Sequence, residues 1–228
     1  MPWLERRAAR ALASSWARAG ELEHASIGAF VDLAADLRAH GAPAELIERC
    51  DVAAAQERDH TSRCFALASR YAGRKVSPGA IGALPASWPP PALTVLARES
   101  ILDGIVNEGV AALLAAEQWK LCVDADAADT LAVIARDEAS HAELGWSILE
   151  WCVEAGGDEV SRYVTTTRDG LETARPPAAP AGIPSAVADA HGRGVPTRLA
   201  ALIEALHGEV LRRLDAIVAR EYCASSDA

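Results

Sequence analysis

Apolar residues recur every three or four positions along most of this chain, the spacing that gives a helix one buried face. The first such run predicts a helix starting at about residue 4 or 11 and ending near 38. Its stripe is Trp16, Gly20, Glu23, Ile27, Phe30, Ala34 and Leu37. Gly41 and Pro43 close this helix and open the next. The second stripe reads Leu46, Cys50, Ala53, Glu57, His60, Cys64, Leu67 and Tyr71, and stops near Gly73. A third helix presents Ile101, Ile105, Glu108, Ala112, Ala115 and Trp119. After a turn around residues 123–126, a fourth presents Leu131, Ile134, Glu138, His141, Gly145, Ile148 and Cys152.

Past Gly156 and Gly157 the pattern weakens to a short helix over 158–173, then a Pro/Ala linker over 175–184. A last amphipathic helix over 196–221 carries Leu199, Leu202, Ile203, Leu206, Val210, Leu214 and Ile217. Residues 73–91 hold too many Gly and Pro to be helical throughout and are too long for a tight hairpin. At roughly 3.3 Å per residue they can run the length of a bundle of about 40–45 Å. The expected fold is therefore all-α: a four-helix bundle over 1–157 with this long crossover between helices 2 and 3. An extra C-terminal helix in an extension over 158–228 is expected to pack on the bundle. Half of the 228 residues are hydrophobic and only 5% are aromatic, which suits helices better than sheets.

Four glutamates interrupt these apolar stripes, and two of them begin Glu-x-x-His units, Glu57–His60 and Glu138–His141. Residues three apart share a helix face, so each unit aims a carboxylate and an imidazole at one point. The midpoint of Glu23 and Glu57 is residue 40, beside the Gly41 turn. The midpoint of Glu108 and Glu138 is residue 123, on the other turn. Antiparallel hairpins bent at those turns bring each lone glutamate level with its Glu-x-x-His unit, roughly 25 Å from the bend. The crossover then brings both sets to mid-bundle. Buried unpaired carboxylates are costly, whereas two divalent ions balance four of them with neutral imidazoles. Oxygen and imidazole ligands favour iron or manganese over calcium or thiolate-bound zinc. Two iron ions are expected, with manganese or a mixed Mn/Fe pair as alternatives.

At these residues, together with Glu23-His24-Ala25-Ser26 and Asp137-Glu138-x-x-His141, the chain resembles the ferritin-like di-iron carboxylate superfamily. That superfamily includes bacterioferritins, rubrerythrins and bundle-type tRNA hydroxylases, and the chain is most similar to a bacterial branch of it. The resemblance spans residues 16–151. It implies that Glu57 and Glu138 bridge two metals, that Glu23 and Glu108 are terminal ligands, and that His60 and His141 bind one ion each. It also implies an acidic residue before each Glu-x-x-His unit. The second helix has Gln56 there, which leaves Asp137 to hold the far side of one imidazole and Asp59 or a backbone group to hold the other.

The function expected from this site is a redox enzyme that uses O2 or peroxide to hydroxylate or otherwise oxidise an unidentified substrate, with an electron donor the sequence does not identify. An iron-handling ferroxidase and a metal-stabilised binding module are the alternatives, and a homodimer is an admissible assembly. The formal charge of −10 disfavours nucleic acid. There is no membrane-length apolar run and no signal-peptide pattern, so a cytoplasmic location is expected. The five cysteines form no C-x-x-C pair, and Cys50, Cys64 and Cys152 fall on apolar stripes as buried thiols. Trp16, Trp119 and Trp146 read as core packing before electron relays. His24 reads as a packing residue beside a ligand, and Glu99 as solvated or at an entrance. The small residues Ala53, Gly104, Gly109, Ala112 and Gly145 fit either close helix approach or a cavity beside the metals.

Overall fold

The computed structural model describes residues 5–79 and 89–226. The described residues form helices and no strands; four long rods carry the cluster described below, and a fifth long helix packs against them. Helix α1 spans Arg6–Ala39 and α2 spans Ala44–Ala72. The third rod is composite: α3 over Leu93–Glu99, a π-helical stretch over Ser100–Asn107, and α4 over Glu108–Leu121. Helix α5 spans Ala125–Asp169 and bends where Gly157 adopts φ 55°, ψ −140°, a conformation open to glycine and costly for other residues. A short α6, Ser185–Ala190, precedes α7, Leu199–Ser226.

The stripes read from the sequence are the buried faces. Trp16, Leu37, Cys50, Cys64, Ile101, Leu131, Ile148 and Cys152 are at most 2% exposed. Each leucine and isoleucine among them contributes roughly 1.5–3 kcal/mol on burial. Burial also pushes the thiols of Cys50, Cys64 and Cys152 up to about 12, so they stay protonated and behave as packing groups. Cys223 lies outside the described side chains.

The third stripe departs from expectation at its end. Trp119 is 50% exposed, while Glu117 and Gln118 are buried. The segment before α7 covers that face: Gln118 donates to the Gly194 carbonyl at 2.8 Å, and Arg198 grips Glu117. The α7 stripe packs on α5 and α4, with Leu206 lying over Gly109.

Two contacts fix the direction of the rods. His40, at the first turn, donates to the Pro91 carbonyl at 2.7 Å, so the third rod begins beside that turn. Arg70, near the end of α2, meets Asp124 at 2.7 Å at the opposite end. The connection after Ala72 therefore runs from one end of the bundle to the other, and its residues 80–88 lie outside the described set. Asp124 caps α5 by accepting the Ala127 N–H at 3.1 Å.

Gly104 and Gly145 let the third rod approach α5 closely: a Cβ on Gly145 would lie 2.8 Å from the Gly104 carbonyl carbon. The third rod packs on α5, α5 on α2, and α2 on α1. A cavity separates α1 from the third rod. No described helix is long and apolar enough to cross a membrane.

Candidate metal centre

Each rod contributes to one buried cluster at mid-bundle. Glu23, Glu57, His60 and Glu138 each place a potential ligand atom so that all lie within 4.8 Å of one another. Glu57, Glu108, Glu138 and His141 form a second such group. Glu57 and Glu138 belong to both, so the cluster is two interleaved sites sharing two carboxylates. His60 Nδ1 lies 3.3 Å from Glu23, 3.7 Å from Glu57 and 3.5 Å from Glu138. His141 Nδ1 lies 3.3 Å from Glu57, 3.9 Å from Glu108 and 3.2 Å from Glu138. The shared carboxylates are at most 3% exposed, whereas Glu23 and Glu108 are 16% and 18% exposed.

The far side of each imidazole is held by the opposite hairpin. His60 Nε2 donates to Asp137 Oδ2 on α5 at 3.1 Å. His141 Nε2 donates to Gln56 Oε1 on α2 at 3.0 Å. Both bonds turn Nδ1 toward the carboxylates, the orientation a metal ligand needs. Asp137 is itself held by Arg136 at 2.9 Å through its other oxygen.

Asp137 thus lies against His60, whereas Asp59 reaches neither imidazole. Asp59 is half exposed and pairs with Arg63 at 2.6 Å. Two residues past Glu57 it is turned about 200° around the helix, away from the cluster. Gln56 does what Asp59 was expected to do, because an amide oxygen accepts an imidazole N–H as a carboxylate does. The signal was in the sequence: Gln56 and Asp137 each immediately precede the glutamate of a Glu-x-x-His unit. The π-helical stretch carried no such signal. There the Glu108 N–H reaches back to the Asp103 carbonyl, five residues away. Such turns are frequent at functional sites.

Without cations the cluster balances its charge with protons. Burial, reinforced by Glu138 and Glu57, raises Glu23 to about 7 against the opposing attraction of His60. Burial, then Glu138, Glu57 and Glu23, raises Glu108 to about 11. Burial also works against ionisation of Glu138, but the neighbouring His141, His60 and Glu108 hold it well below the usual carboxylate range. Burial opposes charge on both imidazoles. The neighbouring carboxylates of Glu138, Glu23 and Glu57 nevertheless hold His60 well above its ordinary value, and those of Glu138 and Glu57 bring His141 to about 9.

Glu57 Oε2 and His60 Nδ1 are buried without a hydrogen-bond partner. Two buried polar atoms left unmatched at the centre of an otherwise satisfied cluster fit a missing cation. The class that fold and site define is an all-α bundle whose buried Glu/His cluster can hold metal. Comparison with protein-family models, curated proteins and solved structures finds no match to this chain.

Proposed function

We propose that the chain is a ferritin-like oxidoreductase whose cluster binds two iron ions, with manganese or a mixed Mn/Fe pair as alternatives, and uses O2 or peroxide to oxidise a substrate. The observation that carries this reading is the pair of interleaved ligand groups sharing Glu57 and Glu138. One divalent ion would leave carboxylates unbalanced, whereas two match four carboxylates with neutral imidazoles.

In this reading Glu23 and His60 would hold one ion and Glu108 and His141 the other, with Glu57 and Glu138, common to both groups, available to either. Asp137 and Gln56 keep each Nδ1 lone pair aimed inward. When bound, the ions supply the redox chemistry of dioxygen or peroxide. Phe30, Leu144 and Ile148 give the approach to Glu108 and His141 an apolar lining. Glu23 and Glu108 are the carboxylates with room to swing, being partly exposed where Glu57 and Glu138 are not. The cavity beside Glu108 and His141 supports a substrate-oxidising role over iron storage, since ferroxidation needs room only for ions.

Metal analysis after anaerobic Fe(II) loading tests the site, with two ions per chain expected and at most one for Glu57→Ala. One ion or none in the wild-type chain would refute the dinuclear reading. Stopped-flow mixing with O2 then tests the chemistry: two bound Fe(II) that resist oxidation would refute the oxidoreductase.

A further inference from the structure

The cavity between α1 and the third rod has a volume of about 670 Å³. Its inner end is formed by Glu108 and His141, and its walls include Phe30, Leu33, Leu144 and Ile148. Its outer part changes character. Asp32 and Asp36 stand on α1, facing Glu99 and Asp103 on the third rod. These carboxylates feel one another across the gap. Burial and then Asp32 raise Asp36, while burial and then Asp103 and Asp36 raise Glu99. His40 and Arg98 lie near enough to moderate this. No Lys or Arg forms an ion pair with any of the four among the described residues. Residues 80–88 contain no Lys or Arg.

Glu99 stands nine residues before Glu108, which separates the acidic end from the cluster by roughly 13 Å of helix. Between the two ends lie apolar side chains and the small residues Ala29, Gly104 and Gly145. A hydrated metal ion on its way to the cluster gains nothing from such walls and fills a small part of the volume. An amphiphile with one positive end matches both halves. Its aliphatic chain replaces water along the walls, and its cation meets four carboxylates that no described Lys or Arg pairs, of which Asp103 accepts from Asn107 at 3.0 Å.

We propose that this cavity binds an aliphatic primary amine, with the ammonium between Asp36 and Glu99 and the hydrocarbon chain running inward to Glu108 and His141. As a statement about substrate the proposal rests on the oxidising reading of the cluster, but the binding it predicts does not.

The test is calorimetric titration of the full chain with n-octylammonium, 1-octanol and octanoate at neutral pH. n-Octylammonium is expected to bind about tenfold more tightly than 1-octanol, and octanoate more weakly than either. The double variant Asp36→Asn/Glu99→Gln should erase the preference for the amine while leaving octanol binding unchanged. It removes like-charge repulsion, so its melting temperature should not fall. Ala29→Trp fills the cavity and should weaken both neutral and cationic probes. Equal binding of amine and alcohol by the wild-type chain, or unchanged amine binding by either variant, would overturn the proposal. So would a double variant that slows Co(II) uptake, read by its absorption, without affecting n-octylammonium, because the acids would then be a metal route. Selective amine binding by a chain that takes up no metal would sink the dinuclear reading and leave this one standing.

Discussion

Gly145→Ala adds one methyl group where two backbones nearly touch, and its cost can be worked from the contacts. The new Cβ would sit 2.8 Å from the Gly104 carbonyl carbon, 3.1 Å from its Cα and 3.1 Å from the Ile105 nitrogen. These are main-chain atoms, so no rotamer change relieves the overlap and the third rod must move. Overpacking of this kind costs about 1–3 kcal/mol, and a backbone clash belongs at the upper end. Alanine returns up to about 1 kcal/mol of helix propensity, leaving a net loss of about 2 kcal/mol. Gly28→Ala is the matched control: it too lies inside a helix, and its added Cβ meets nothing within 4 Å. There the propensity gain stands alone, and stability should rise by about 0.5–1 kcal/mol. For a domain of this size the melting temperature should fall by about 4–8 °C for the first variant and rise by about 1–4 °C for the second. Urea titration of both variants in EDTA isolates packing from metal binding. If Gly145→Ala were as benign as Gly28→Ala, the close approach of α5 to the third rod would be refuted.

Removing the acceptor behind either imidazole should weaken divalent-metal binding by about 10- to 100-fold. Asp137→Leu should act through His60 and Gln56→Leu through His141, while Asp59→Asn should change nothing; competition with a chelator measures all three. The metal-free protein should lose stability as pH rises from about 5 to 9. Glu23, raised to about 7, favours the folded state less as pH climbs from its unfolded value toward 7. His141, raised to about 9, contributes fully below its unfolded value and loses that contribution as pH passes 9. Urea midpoints across this range should therefore fall in EDTA and hold steady with bound Mn(II). A flat profile in EDTA would contradict the proton-balanced cluster. Arg193 stacks over Trp16 at 4.7 Å and donates to Ser15 at 3.0 Å. Arg193→Ala should thus cost about 1–2 kcal/mol in chemical denaturation.

The parts of this molecule legible in the sequence were those governed by periodicity and arithmetic. Glu23, Glu57, Glu108 and Glu138 sit on stripes whose spacing declares a buried face, and their equal distances from two turns declare a common height. The connection after α2 was read from its length together with its Gly and Pro content. The hydrogen-bond register of Ser100–Asn107 stayed hidden, since Ile101 and Ile105 occupy the same face whether the turn closes over four residues or five. Trp119 was misplaced because its burial depends on where the segment before α7 lies, and that segment covers Gln118 instead. Gln56 was overlooked because a carboxylate was sought where any oxygen acceptor suffices.

The exchange of hydrogen bonds between His60 and Asp137, and between His141 and Gln56, bears on what a severed chain can do. Cutting within 74–92 yields two fragments, each with a full complement of one lone glutamate and one Glu-x-x-His unit. Neither fragment keeps the acceptor for its own imidazole. Each half would bind metal poorly in isolation, and mixing the halves would restore both sites together, making metal uptake a report on reassembly.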